Sequence, residues 1–288
     1  MKILILGGTR FFGIPMTKKL AAKNDATIAN RGKTADNLGD SVSRLIIERS
    51  DENSVKAALK NRKYDVVIDK TAYSSNDVKR VRDNVKCEKY ILMSSSAVYE
   101  NIHNETTEDE FKAVEHSLKW CERSDFGYGE AKRQAESCVA QYYPEQAYIA
   151  VRYPVVIGEH DYTKRLYFYV EHVINSIPMF IDDMDSRISF IHEDDAGEFL
   201  AYLVESDVRG AVNGCCRGDI FIKEIVSYIE QNTGKKAVLS AGGDAAPYNG
   251  YPSFATLNTS KAEKTGFIFT EVHNRIYETI DNYIKSLS

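Results

Sequence analysis

Apolar residues in this chain fall into short continuous runs, separated by longer stretches in which they recur every three or four positions. Six runs have the length and continuity of strands buried on both faces: Lys2 to Leu6, Thr27 to Ala29, Arg44 to Ile47, Asp65 to Ile68, Tyr90 to Met93 and Tyr148 to Val151. The intervening segments Pro15 to Lys23, Glu52 to Leu59, Ser75 to Val85 and Tyr128 to Tyr142 carry helical spacing. Pro15 falls in a first turn, where proline forfeits no hydrogen bond. Strand, helix, strand in regular succession predicts an α/β fold, a doubly wound parallel sheet with right-handed crossovers. A further amphipathic stretch, Thr270 to Leu287, predicts a terminal helix that packs on the core.

Composition narrows the class without changing this picture. The 288 residues are 43% hydrophobic and 27% charged, with six scattered prolines and neither repeats nor a linker, so a large folded core is expected. Lysine and arginine number 37 against 42 acids, a balance of −5 that gives no global reason to bind nucleic acid or an anionic membrane. No stretch approaches the roughly 20 apolar residues of a membrane helix. The first run is too short for a secretory leader. The five cysteines include one adjacent pair, Cys215 and Cys216, which lacks zinc or redox spacing, so free thiols in a reducing cytoplasm are expected.

The first strand runs into "LILGGTRFFG", residues 4 to 13. Where such a strand opens a helix, glycines allow close backbone approach and helix amides receive a pyrophosphate. Gly7, Gly8 and Gly13 are the candidates, with Arg10 midway between Gly7 and Gly13. A dinucleotide site usually has an acid at the end of the second strand for the ribose of NAD, whereas arginine there accommodates the 2′-phosphate of NADP. This chain has Asn30, Arg31 and Lys33 at that place, so Arg10 and Arg31 are expected to flank the phosphate, and NADP is expected over NAD.

Two later segments carry candidate chemistry. After the fifth run comes "SSSAVYE", with Ser95 four before Tyr99, and further on "YGEAKRQAE" places Tyr128 and Lys132 four apart on one helical face. Tyrosine is a poor base at neutral pH, but a neighbouring ammonium favours its phenolate. Together these stretches resemble the extended and atypical short-chain dehydrogenase/reductases, the NAD(P)-dependent epimerase/dehydratase family. The loop is similar to that family's G-x-x-G-x-x-G with the middle glycine replaced. "VRYPVVIG" (151–158), "ISFIHEDDAGEF" (188–199) and "TSKAEKTGF" (259–267) extend the likeness over nearly the whole chain.

The resemblance implies a Rossmann domain over residues 1–157 and a substrate region over 158–288, with 188–200 returning to the first, and homodimers built through helices. It implies a Ser95, Tyr128 and Lys132 relay in which Tyr128 exchanges a proton with a substrate hydroxyl or carbonyl while nicotinamide exchanges hydride. It further implies cofactor contacts from Thr9, Phe12, Glu48 near the adenine, Thr71, Ala72 behind the nicotinamide, Ser94, Tyr128, and Lys132 on the nicotinamide ribose. The expected activity is that of an oxidoreductase, epimerase or dehydratase on a small sugar-like or nucleotide-sugar substrate. Two positions depart from nucleotide-sugar epimerases. Val155 stands where they carry a sugar-contacting asparagine, and Ile188 where they carry a diphosphate arginine, with Arg187 one place off and so on the opposite strand face. Lys164, Arg165 or Arg187 remain as candidate phosphate contacts.

Other clusters take plainer expectations. "HEDD" (192–195) predicts a capped helix start and no metal site, because consecutive residues do not converge on one ion. "TTEDE" (106–110) predicts a solvated turn in a long connection that could close over substrate. No Ser-His-Asp order or His-Glu-x-x-His pattern points to a hydrolase. The "GGTRF" and "NRGKT" stretches also resemble atypical members that bind RNA, including chloroplast stem-loop RNA-binding proteins, so a non-catalytic RNA-binding or dinucleotide-sensing role is the alternative.

Overall fold

The computed structural model describes residues 1–287. Its centre is a seven-stranded sheet built from β1 (Lys2–Leu6), β2 (Asp25–Asn30), β3 (Ser43–Ile46), β4 (Arg62–Asp69), β5 (Val85–Met93), β6 (Ala147–Arg152) and a last strand, Gly210–Asn213. From one edge to the other the order is β3, β2, β1, β4, β5, β6, Gly210–Asn213, and every pairing is parallel. Helices α1 (Gly13–Ala21), α2 (Glu52–Leu59), α3 (Ser75–Arg82) and α4 (Tyr128–Ser137) fill the crossovers. Ile3, Leu4, Ile5 and Leu6 are all buried, as a central strand covered on both faces requires. Strand order reverses between β1 and β4, which opens a crevice beyond their carboxyl ends.

All six expected strands are present, and the differences lie at their ends. β4 begins at Arg62 and β5 at Val85, earlier than the apolar runs, because the exposed Arg62 and Lys63 pair with Val85 and Lys86 ahead of those runs. Consequently Val85 belongs to a strand, and α3 stops at Arg82 rather than reaching Val85. The helix expected over Tyr128 to Tyr142 is α-helical to Ser137 and then widens into a π turn over Cys138–Tyr142.

Beyond β6 the chain leaves the sheet and comes back. Helices α5 (Arg165–Ile174), α6 (Glu193–Leu203), α7 (Ile222–Thr233) and a terminal helix, Val272–Leu287, are joined by short strands. α5, α7 and the terminal helix enclose a second core containing Tyr169, Val173, Ile225 and Ile276. α6 lies on α1 instead, and Gly197 allows it, since a Cβ there would meet the Phe12 carbonyl oxygen at 2.8 Å and the Met16 nitrogen at 3.0 Å. The portion returning to the sheet therefore runs past residue 200 to Asn213.

His192 caps α6 by accepting the Asp194 amide at Nδ1, 3.2 Å, and Asp195 accepts the Thr270 amide and hydroxyl, so "HEDD" is a helix start. All five cysteines are free thiols. Among the described residues no helix is long and apolar enough to cross a membrane.

Candidate active site

Four strand ends converge at the crevice. The Gly7 amide donates to the Ala29 carbonyl (3.0 Å), the Lys70 amide to the Leu6 carbonyl (3.1 Å) and the Ile47 amide to the Asn30 carbonyl (2.8 Å), so the loops after β1, β2, β3 and β4 share one rim. Gly7 and Gly8 have φ of 96° and 93°, where a side chain is strained, and a Cβ on Gly13 would lie 2.9 Å from the Gly8 Cα. The loop thus folds back on the helix start with no room for side chains. Phe11 also takes a left-handed φ of 53°.

At the β2 end, the Asn30 amide group donates to the Thr9 hydroxyl at 3.4 Å, and its carbonyl oxygen accepts the Gly32 amide at 2.7 Å. Arg10 turns toward the same segment, its Nε donating to the Thr34 hydroxyl at 3.1 Å, so the arginine in the glycine loop and the Asn30–Lys33 turn are neighbours. Arg10, Arg31, Lys33 and Glu48 are exposed on this rim, whereas Thr9 and Phe12 are buried beneath it.

The end of β4 holds a network that local sequence did not reveal. The Arg49 guanidinium donates to both oxygens of the fully buried Asp69 (2.7 and 2.6 Å) and to the Thr71 hydroxyl (2.8 Å), and its Nε lies 3.2 Å from Asp77. The Tyr90 hydroxyl donates to the same Asp69 at 2.6 Å. Thr71 therefore gives its hydroxyl to this network and its methyl to the wall behind Gly7. Ala72 is buried.

Lys132, also fully buried, donates its amine to the carbonyls of Ala72 (2.7 Å) and Met93 (2.9 Å), which ties α4 to the ends of β4 and β5. Burial pushes its pKa down to about 7, with Asp69 and Asp77 opposing the shift and Arg49 adding to it. Its amine sits 4.5 Å from the Tyr73 ring centre and 5.9 Å from that of Tyr128. Tyr73, which follows Ala72, is a site residue the sequence did not single out. Its ring lies 6.1 Å from that of Tyr128 and 3.8 Å from the Arg123 guanidinium.

Ser95 begins a single 3₁₀ turn, its Oγ accepting the Ala97 amide at 3.2 Å, and the Ser94 and Ser96 amides bond to β6 and Tyr153. Gly129 lets α4 start against this turn, because a Cβ there would stand 2.5 Å from the Ala97 carbonyl oxygen. Tyr128 and Ser95 thereby line the same cleft. The pKa expectation needs correcting. Desolvation raises the Tyr128 phenol, Ser95 opposes that rise, and Lys132 is not among its main influences; the lysine amine instead donates to backbone carbonyls. Ser94 is buried, and its hydroxyl has no hydrogen-bond partner.

Above Ser95 and Tyr128 lies a cleft of about 460 Å³ walled by Phe11, Tyr73, Tyr99, Tyr162 and Tyr251, with Arg165 and Asp161 at its far side. Arg165 donates from Nε to the Thr163 hydroxyl (2.8 Å) and from Nη2 to the Val156 carbonyl (3.2 Å), with Asp161 3.8 Å away. Arg187 is instead paired with Asp219, and Lys164 lies over Tyr167, so of the three candidate phosphate contacts Arg165 alone lines this cleft.

The connection between Ser95 and Tyr128 is no free lid. The buried Arg152 holds it by donating to the carbonyls of Glu108 (2.8 Å) and Phe111 (2.9 Å) while paired to Glu136. Thr106 bridges to Leu257.

Residues 78–214 match the model of the NAD dependent epimerase/dehydratase family, a span that contains Ser95, Tyr128 and Lys132 but not the glycine loop. Among solved structures, UDP-glucose 4-epimerase from Thermotoga maritima, in complex with UDP-glucose, superposes with a TM-score of 0.76 at 17% identity, covering 100% of both chains. UDP-glucuronic acid 4-epimerase from Bacillus cereus, with UDP-glucuronic acid and NAD, gives 0.77 at 17% identity, again over 100% of each. UDP-N-acetylglucosamine 4-epimerase from Methanobrevibacter ruminantium gives 0.74 at 18% identity, over 99% of this chain and 98% of that one. The expected doubly wound fold is therefore the fold of these proteins. A curated relative, the chloroplast stem-loop binding protein of 41 kDa b from Arabidopsis thaliana, is 31% identical over an alignment of 113 residues that covers 34% of this chain. The match spans only 30% of that protein's length.

Proposed function

On the premise that residues 78–214 belong to the NAD dependent epimerase/dehydratase family, we propose that this enzyme uses NADP to act on a hydroxyl or carbonyl of a small hydroxylated substrate. The observation that carries this reading is that Ser95 and Tyr128 line one cleft, with Lys132 anchored behind them, at the end of the crevice whose other end is the glycine loop. The residues fit a dinucleotide. The loop leaves no space for Cβ atoms at Gly7, Gly8 and Gly13, the buried Ser94 hydroxyl lacks a partner, and Asn30 rather than an acid ends β2, with Arg10 turned toward the segment that follows.

A bound nicotinamide dinucleotide supplies hydride exchange at its ring. Residues of this chain do the rest. Tyr128 gives or takes a proton at the substrate oxygen, and Ser95, whose Oγ already accepts the Ala97 amide, donates its remaining hydrogen toward the phenol or the same oxygen. Lys132 holds α4 against the Ala72 and Met93 carbonyls, so the phenol is fixed by the sheet rather than by a loop. Arg10, with Arg31 and Lys33 on the same rim, suits the 2′-phosphate. The cleft offers one arginine, backed by Asp161, and Val155 among its lining residues. That inventory suits a small polyhydroxylated molecule stacked on tyrosines better than a nucleoside diphosphate sugar.

Tyr128→Phe tests the assignment: dinucleotide affinity should stay within about twofold of wild type while turnover falls by a factor of at least about 10². Retained turnover would reject it. NADP should bind more tightly than NAD, and Arg31→Gln should erase that preference. The likeness to the chloroplast stem-loop binding protein favours a second reading, RNA binding. That role requires affinity that falls steeply with salt in a filter assay.

A further inference from the structure

Lys70 is a charged group that the relay does not use. It leaves the end of β4 beside the glycine loop, so close that a Cβ on Gly7 would approach its own Cβ to 3.5 Å. Its side chain then crosses the loop. The amine lies 3.9 Å from the Phe12 ring centre and donates one long bond, 3.4 Å, to the Arg10 carbonyl, which also accepts the Gly13 amide at the start of α1. No carboxylate forms an ion pair with it among the described residues. Its surroundings depress its pKa to about 8, and desolvation is the cause.

An ammonium held partly out of water without an acid is costly unless an anion meets it in the working state. This one lies across the glycine loop at the start of a helix, the place in such folds that receives phosphate. Arg10 and Arg31 belong to the β2 side of the same loop, where Arg10 is engaged with Thr34. Two positions for negative charge are therefore distinguishable, one at the β2 rim and one between β1 and β4.

Resting on the dinucleotide reading above, we propose that Lys70 is the charge partner of the cofactor's diphosphate, serving NADP and NAD alike, while Arg10 and Arg31 act on the 2′-phosphate alone. A lysine suits the first position because a point charge on a flexible stem can swing from the Arg10 carbonyl onto either phosphate.

The test is calorimetric titration of wild type, Lys70→Met, Lys70→Arg and Arg31→Gln with NADP, NAD and adenosine 2′-monophosphate, alongside thermal unfolding without ligand. Lys70→Met should weaken NADP and NAD by a similar factor, roughly tenfold for a lost charge-assisted bond. It should leave adenosine 2′-monophosphate unchanged, and Lys70→Arg should restore most of the loss. Arg31→Gln should do the reverse, weakening NADP and adenosine 2′-monophosphate and sparing NAD. Unchanged dinucleotide affinity in Lys70→Met, with or without a lower unfolding temperature, would leave Lys70 as a mere cap on Phe12 and overturn the proposal. Equal loss of adenosine 2′-monophosphate would overturn it too, by moving the amine to the 2′-phosphate. Wild-type protein that binds neither dinucleotide defeats the cofactor reading itself, a result separable from both.

Discussion

Replacing Arg49 with methionine should destabilise the protein severely, and the structure says by how much. Asp69 has no exposure and accepts two bonds from the guanidinium, one from the Tyr90 hydroxyl and one from the Thr71 amide at 3.1 Å. Without Arg49 a buried carboxylate keeps two neutral donors and no cation, a situation that costs about 3–5 kcal/mol. At about 2–4 °C per kcal/mol for a chain of this size class, the unfolding temperature should fall by roughly 6–20 °C. Urea titration followed by circular dichroism gives the free energy directly. The double variant Arg49→Met/Asp69→Leu should be no less stable than the single one, since it removes the uncompensated charge. The site should respond as well: Arg49 lowers the Lys132 pKa, so its loss should move that titration upward from about 7. A single variant within about 1 kcal/mol of wild type at neutral pH would refute the reasoning, since it would mean that Asp69 is not an obligate charge partner.

Two further predictions concern α4. Carbon-13 NMR of the Lys132 side chain in the free protein should titrate near pH 7. Because the unfolded chain keeps that proton to about pH 10.5, this residue makes the fold more stable as pH rises from 7 toward 10.5. A midpoint near the ordinary lysine value would contradict the buried geometry. Gly129→Ala gains about 0.5–1 kcal/mol of helix propensity. It also forces a methyl to 2.5 Å from a backbone carbonyl, and overpacking of this kind costs about 1–3 kcal/mol. The net should be a small loss of stability with Tyr128 displaced from Ser95, read as a lower unfolding temperature and a turnover loss of about 10². A higher unfolding temperature with full activity would show that the helix start is not packed as described.

Period and turn chemistry sufficed for the frame. Runs such as Ile3 to Leu6 are apolar on every position, which only a strand covered on both faces tolerates, and Gly7, Gly8 and Gly13 announce backbone that must come close to backbone. The four-residue spacing of Tyr128 and Lys132 likewise fixed a shared helical face. What lay beyond reach was every feature made by residues distant in sequence. The ion pair of Arg49 with Asp69 spans 20 residues, and the Lys70 bond to the Arg10 carbonyl spans 60. No local periodicity encodes such meetings. They arise when parallel strands bring their carboxyl ends to one rim. The phenol pKa shows the same limit, since residue types suggested a helpful ammonium but distance and burial set the direction. Chain chemistry alone thus determined the strands and the glycine loop, because those depend on neighbours within a few residues, while the proposed relay residues came from motifs resembling a known family. Which charges are neutralised, which lack an acid partner, and what walls the cleft were decided only by the packed sheet, because electrostatics and desolvation depend on distance in space.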